Sequence, residues 1–420
     1  MTAELVASPE FELLKTLIEP TASRLSAGGH RLFFVGGIVR DLLLATDGEG
    51  AADFSDVDLT TDARPKVIKN AVGSSADSIW TQGERFGTIG AMIGDHAFEI
   101  TTHRAESYDP TSRKPVVSFG DDLETDLSRR DFTINAMAIE VSTGTLADPF
   151  GGRADLRAHR LRTPLDPEIS FADDPLRMLR AARFIPRFGL AASADVLASA
   201  IALADRLTIV SGERIHDELE KLLGLPSPAA GLHFLRDAGL LSTLGLDSAS
   251  GVLDPIAALP TARARRAGLL LDLSEDDALA FLDVLRYSNA DRRSTMRVLA
   301  GARSLVAQWS QDRSTALLRS IAATTGSEAV EDVISVASLA GFTDLAQKGS
   351  SEALAELRRS EDLDDHSSPL EGEEIMELLS IASGPAVGEA VRFLERLRVE
   401  RGPLTPDEAR SELLGWAGLS

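Results

Sequence analysis

Apolar residues recur at helical spacing between Phe11 and Leu25, so residues 10–27 read as an amphipathic helix. A short apolar run, Leu32 to Val35, then meets Gly36-Gly37 and a second helix-like stretch, Ile38 to Ala45, which together spell strand, glycine turn, helix. Val57–Thr61 reads as another strand, and Pro65–Val72 as a helix with proline at its first turn. Gly87–Gly94 and Ala97–Thr102 alternate as two antiparallel strands around Gly94-Asp95. His103–Leu127 shows no clean period and is rich in Asp, Ser, Pro and Gly, so it is expected to be a loop; Arg129–Glu140 is expected to be a helix.

Beyond Pro175 strand signals largely stop. Leu176–Phe188, Ser193–Arg206, Gly212–Leu223 and Ala229–Ala238 all carry helical spacing, and the remainder is mostly helical. Breaks fall at Leu225-Pro226-Ser227-Pro228, at 245–260 and in the acidic stretch Glu361–Ser368. The expected class is therefore α+β, a small mixed sheet with helices over residues 1–150 followed by an all-helical remainder.

Composition narrows this picture in two ways. The chain has no cysteine, which excludes disulfides and thiolate metal sites and fits a reducing cytoplasm, the expected location. No apolar run reaches membrane-spanning length and the first residues lack a secretory pattern, so neither a membrane nor export is expected. The net charge of −22 speaks against a protein that coats nucleic acid, DNA included, without regard to sequence. The charge is uneven, however. Arg129–Arg187 holds ten arginines against eight acids, whereas residues 350–420 hold seven basic residues against sixteen acids. A locally basic surface on an acidic body suits a grip on one RNA end; in the tail the acidity serves solubility equally well.

Four constellations carry chemistry. After the first strand, Gly36-Gly37-Ile38-Val39-Arg40-Asp41 offers glycines that let the backbone approach a phosphate and a forked cation suited to its oxygens, although a glycine pair is more often just a turn. Asp56-Val57-Asp58 opens the second strand, where alternate residues share a face, so both carboxylates can hold hard cations, usually magnesium. Taken alone such a pair is mostly solvated, and the glycine turn upstream is what raises the metal reading. Glu99 on a later strand is a candidate third catalytic carboxylate, or an exposed strand acid.

In Arg129-Arg130-Asp131-Phe132-Thr133-Ile134-Asn135, Arg130 suits a triphosphate and Asp131 and Asn135 suit ribose hydroxyls; alternatively they form an internal ion-pair and cap network. In Asp173-Asp174-Pro175-Leu176-Arg177, either aspartate suits a helix N-cap. Asp174, Arg177, Arg180 and Arg183 recur every three residues and are expected along one helical stripe, where the arginines repel unless an anion sits among them. The plain alternative is a surface Asp–Arg pair worth roughly 0.2–0.5 kcal/mol. His216-Asp217 reads as a surface feature of a helix.

The order of these motifs resembles the family of class II CCA-adding tRNA nucleotidyltransferases and bacterial poly(A) polymerases. The resemblance lies in FFVGGIVRDLLL, DVDLTTDARP, FEITTHR, RRDFTINAMA, DPFGGRADL, FADDPLRMLRAARFIPRFGL and SGERIHDELEKLL, covering about residues 31–224, with a further likeness in the tail; residues 245–360 carry none. It implies a polymerase-β-type nucleotidyltransferase head (1–150), a helical neck with a base-reading helix (151–225), a helical body (226–360) and a tail (361–420). It implies magnesium, two ions, on Asp56 and Asp58. It implies an incoming nucleotide held by Gly37, Arg40, Arg130, Arg180 and Arg183, with Asp174 and Arg177 reading its base; Gly36, Asp131 and Asn135 are added to the nucleotide-binding set on their own chemistry. The family has Glu where this chain has Asp173, so Asp173 is left out.

The base-reading role has a physical basis. Cytosine and adenine each offer an amino donor beside a ring-nitrogen acceptor, which matches an accepting Asp174 and a donating Arg177; uracil and guanine present the opposite order. The implied reaction is template-independent addition of C and A from CTP and ATP to the 3′ end of tRNA, with release of pyrophosphate. Poly(A) synthesis, A-only addition and a non-catalytic RNA-binding relative are the alternatives. The loop from Ala105 to Leu127, with Tyr108, Arg113 and Phe119, resembles the family's flexible loop, which favours full CCA addition or A addition over CC-only addition.

Overall fold

The computed structural model describes residues 8–48, 57–107, 116–120, 122–309 and 314–419. The chain divides into two compact units, residues 1–210 with 237–243, and residues 211–236 with 244–420.

The first unit opens with α1 (Pro9–Ala27), whose buried residues Phe11, Leu14, Ile18 and Leu25 recur at the spacing the sequence shows. They pack toward β1 (Leu32–Val35), with Phe11 and Phe34 ring centroids 4.9 Å apart. All four β1 residues are buried because the strand lies inside the sheet. There follow α2 (Gly37–Thr46), β2 (Val57–Thr61), α3 (Pro65–Val72), β3 (Ser78–Trp80), β4 (Thr88–Ile93) and β5 (His96–Thr102). Next come β6 (Arg104–Ser107), β7 (Val116–Phe119), α4 (Leu123–Ser128), β8 (Ala138–Glu140) and β9 (Leu146–Ala147). The main sheet has the order β3-β4-β5-β2-β1-β8-β9, antiparallel except for β2 beside β5. Short helices α5 (Gly152–Arg157) and α6 (Pro167–Asp173) lead into α7 (Leu176–Arg187) and α8 (Ala194–Leu203).

Two expectations are corrected here. The segment 103–127 is not a plain loop: β6 and β7 pair antiparallel, Arg104 against Phe119 and Ser107 against Val116, and α4 follows, capped by Asp122. The turn-rich residues between the two strands hid their pairing; 108–115, with Tyr108 and Arg113, lie outside the described residues. Nor is Arg129–Glu140 a helix. It is a turn, one 3₁₀ step at Thr133–Asn135, and strand β8 paired to β1 through Phe33–Glu140 and Val35–Ala138. Every residue from Asp131 to Glu140 is buried, and a run buried on all sides has no period by which to tell strand from helix.

The second unit is helical in its described residues, from Gly212–Leu223 to Pro406–Trp416. Within it Arg265 is buried and donates to the carbonyls of Leu223, Leu225 and Leu259, which lets a charged residue sit in a helical core. His216 stacks on Tyr287 at 4.1 Å, beside an exposed Asp217. The tail closes around Leu370, Ile375, Leu394 and Leu413. Among the described residues, no helix is long and apolar enough to cross a membrane.

Candidate active site

The site begins where β1 turns into α2. Gly36 sits at φ 81°, ψ −131°, a conformation closed to side-chain-bearing residues. Two side chains come close to it: a Cβ there would lie 2.9 Å from Arg130 Nη1 and 3.9 Å from Asp58 Oδ2. Gly36 thus brings a backbone turn, a cation and a carboxylate to one point. Arg40, one helical turn on, is buried. Its Nε and Nη2 donate to the two carboxylate oxygens of Asp41 at 2.7 and 3.0 Å, its Nη1 donates to Asn135 Oδ1 at 2.6 Å, and its guanidinium lies 4.1 Å from the Phe188 ring centroid.

That bond joins α2 to the turn before β8. Asn135 Nδ2 donates to Asp131 Oδ1 at 3.0 Å, the Phe132 amide donates to the same oxygen at 2.8 Å, and Arg180 Nε of α7 donates to Asp131 Oδ2 at 2.8 Å. Arg40, Asn135, Asp131 and Arg180 therefore form one continuous network; of the internal alternative read from the sequence, the Asn135–Asp131 bond is present, whereas Arg130 lies 3.7 Å from Asp126. Burial works against ionisation of Asp131, but the charge of Arg180 and the bonds from Asn135 and Arg180 outweigh it and hold the carboxyl at about 2. A depressed folded-state pKa stabilises the fold above the ordinary value of 3.8, and this is lost as pH falls toward 2. Ionised Asp131 should contribute about 2 kcal/mol near neutrality. In urea unfolding, the gap between wild type and Asp131→Asn should narrow from pH 5 to pH 3; a constant gap would assign the loss to packing.

Gly36, Gly37, Arg40, Asp58, Arg130, Asp131, Asn135, Arg180 and Arg183 line one cleft of about 250 Å³, joined by Ile38, Asp41, Phe184 and Arg187. Five arginines face three aspartates there, so the cleft is cationic in a chain of net charge −22. Arg183 lies 4.4 Å and Arg180 5.2 Å from the Phe184 ring centroid, which holds the α7 arginines in place.

Asp174 does not share the helical stripe of the arginines. It lies in the extended turn between α6 and α7, at φ −138°, because Pro175 and the helix start follow it, and its Oδ1 accepts from the Leu176 amide at 3.2 Å, a capping bond. Arg177 donates through Nη1 to Ser170 Oγ at 2.7 Å and through Nη2 to the Arg129 carbonyl. Neither residue is among those lining the cleft.

Asp58 is the exposed position of β2, and its register partner on the parallel neighbour β5 is Glu99, also exposed. Register partners project to one face at a strand spacing of about 4.8 Å. Two hard-oxygen carboxylates side by side repel, and a divalent cation relieves that repulsion, so the donor set fits magnesium. Asp56 lies outside the described residues, and among the described ones no group of three or more His, Cys, Asp or Glu is placed to hold a metal.

The sequence reading missed Asp126. Buried, it accepts from Arg129 Nη2 at 2.8 Å and from the Arg104 amide at 3.1 Å, and lies 3.7 Å from Arg130 Nη2. Burial raises its pKa, yet the charges of Arg129 and Arg130 leave it below the usual carboxylate value. Its spacing of three and four residues from the two arginines was the available signal.

Two family models match the chain. The poly(A) polymerase head domain covers residues 32–162, and a region described as a probable RNA- and SrmB-binding site of polymerase A covers residues 189–248. The CCA-adding enzyme of Limosilactobacillus fermentum is 32% identical over 411 residues, 94% of this chain and 96% of that protein. The chain belongs to the CCA-adding enzyme family. The CCA-adding enzyme of Geobacillus stearothermophilus is 38% identical over 218 residues, and the chain spans about half the length of that relative, 51%. Among solved structures, the Bacillus stearothermophilus CCA-adding enzyme in complex with CTP superposes with a TM-score of 0.75 at 27% identity, covering 98% of each chain. CCA-adding enzymes thus share with this chain its fold, a small mixed sheet at the N-terminal end followed by helices.

Proposed function

We propose that this member of the CCA-adding enzymes is a template-independent, magnesium-dependent nucleotidyltransferase of the cytoplasm, which adds C and A from CTP and ATP to the 3′ end of tRNA and releases pyrophosphate. The observation that carries the reading is the placement of the Asp58 carboxylate against the Gly36 turn, in a cleft that five arginines line. Similarity to CCA-adding enzymes, one of them crystallised with CTP, supports it.

In this reading the triphosphate lies against the Gly36-Gly37 backbone with Arg130, Arg180 and Arg183 balancing its charge. Asp58, with Asp56 two residues before it, would hold the two magnesium ions, which would supply charge neutralisation and a lowered pKa at the acceptor hydroxyl. The RNA 3′ oxygen bonds to the α-phosphorus in line as the bond to pyrophosphate breaks, with no covalent enzyme intermediate. Arg40 acts through Asn135, setting the turn that positions Asp131 and Arg180. Asp174 and Arg177 read the base, Arg177 being steadied from behind by Ser170 and the Arg129 carbonyl.

Asp174→Ala should then erode the preference for CTP over UTP by roughly 10- to 100-fold, since a mismatched buried acceptor costs about 1–3 kcal/mol. Single-nucleotide incorporation checks this, and an unchanged CTP:UTP ratio would remove Asp174 from base recognition.

The head domain's likeness to poly(A) polymerase keeps one alternative in view. A tRNA ending at its discriminator base, incubated with CTP, with ATP and with both, separates the two. Two C additions followed by one A supports the proposal; a ladder of A from ATP alone assigns poly(A) synthesis, and no incorporation leaves a binding protein.

A further inference from the structure

A second pocket, of about 300 Å³, adjoins the catalytic face and is assigned to nothing in the scheme above. Trp80, Phe86, Thr88, Gly90, Glu99 and Arg104 line it. Phe86 is 43% exposed, with the Arg85 guanidinium 4.5 Å from its ring centroid. The Trp80 ring lies directly over Gly90, where any Cβ would come within 1.9 Å of it, so the glycine makes room for the indole. Arg104 Nη2 donates to Thr88 Oγ1 at 2.9 Å, fixing a cation at the pocket wall.

The sheet register connects this pocket to the metal-binding carboxylate. Trp80 pairs with Gly90, Gly90 with Glu99, and Glu99 with Asp58, one unbroken row across β3, β4, β5 and β2. Partners in such a row present the same face. Asp58 lines the arginine cleft on the β1 side, and Glu99 lines the aromatic pocket on the β4 side. Two strand spacings, about 10 Å, separate Gly90, over which the indole lies, from Asp58. In-line transfer requires the acceptor oxygen to approach the α-phosphorus from the side opposite the leaving pyrophosphate. With the outer phosphates among the arginines and the α-phosphorus at Asp58, as the proposed function has them, the acceptor comes from the Glu99 side, that of the Trp80–Phe86 pocket.

We infer that the Trp80–Phe86 pocket is the acceptor subsite, in which the base of the RNA's 3′-terminal nucleotide stacks on the aromatic rings while its ribose lies over Glu99 beside Asp58. This rests on the nucleotidyl-transfer reading and adds the place of the second substrate. Stacking is the appropriate chemistry. The terminal base changes with each addition, so the subsite must hold any base, and an aromatic face does so where hydrogen-bond readout does not. Glu99, which lines the pocket, can accept from ribose hydroxyls.

The test uses the full chain and tRNA ending at its discriminator base. Phe86→Ala, at an exposed position, should raise the KM for RNA about tenfold while the KM for CTP holds, and Phe86→Tyr, which keeps a ring, should restore the RNA KM. An unchanged RNA KM, or a rise in the CTP KM instead, overturns the assignment. Independently, wild-type protein irradiated with RNA carrying 4-thiouridine at its 3′ end should crosslink within residues 80–86; a crosslink confined to other segments overturns it. Failure of the wild type to incorporate any nucleotide overturns the functional reading and the acceptor role with it, whereas the crosslink separately decides whether the RNA 3′ end lies in the pocket.

Discussion

Asp58→Ala should lower nucleotide incorporation at least ~1,000-fold, a loss of about 4 kcal/mol of transition-state stabilisation, while leaving the thermal midpoint of the protein nearly unchanged. The asymmetry follows from where the residue sits. Asp58 is the exposed position in a strand whose other four residues are buried, so the fold does not depend on burying its side chain. Its carboxylate nevertheless stands over the Gly36 turn, at the one place where the arginine cleft meets the sheet row that continues to Glu99. Single-turnover incorporation at saturating CTP and magnesium measures the loss. Retention of wild-type rates by Asp58→Ala would remove the metal from this strand altogether. The same assay on Glu99→Ala settles whether the register partner is a third catalytic carboxylate: a comparable loss places it in the catalytic set, and a small one leaves it a strand acid.

Arg40→Ala should instead cost the fold about 3–5 kcal/mol, the usual result of removing one partner from a buried ion pair. The motif alone suggests a residue that reaches for phosphate. In the structure its side chain is 6% exposed and that of Asp41 11%, and the guanidinium is occupied by both Asp41 oxygens, by Asn135 and by the face of Phe188. Truncation leaves Asp41 charged and buried and frees Asn135, so the turn that fixes Asp131 and Arg180 loosens as well. Arg40→Lys keeps the charge but not the fork that spans the carboxylate, and should recover only part of the loss. Urea unfolding of both variants checks this; a destabilisation below about 1 kcal/mol for Arg40→Ala would return Arg40 to the role of a simple phosphate ligand.

The two predictions divide along a line that also runs through the sequence reading. The strand–glycine–helix unit at 32–46, the Asp-x-Asp strand and the arginine-rich helix at 176–187 are local features, set by periodicity, turn chemistry and residue type, and the chain states them in order. The buried segment 131–140 is different. It reads as a helix because a run buried throughout carries no usable period, whereas it is a turn and a 3₁₀ step that end in strand β8, Ala138–Glu140, paired to the edge of β1. The hairpin β6–β7 is hidden for a related reason, since its two strands meet only across a turn-rich insertion.

What the sequence by itself determined is the inventory of chemistry: which residues can grip a triphosphate, which can hold a hard cation, and in what order they come. What only the tertiary structure decided is their division of labour. Arg40 and Asp131 line the cleft from within a buried network, Asp174 left the arginine stripe for a capping turn, and Glu99 came level with Asp58. The physical reason is that charge balance and strand register are satisfied between segments far apart along the chain, and no local pattern encodes which of those partners will meet.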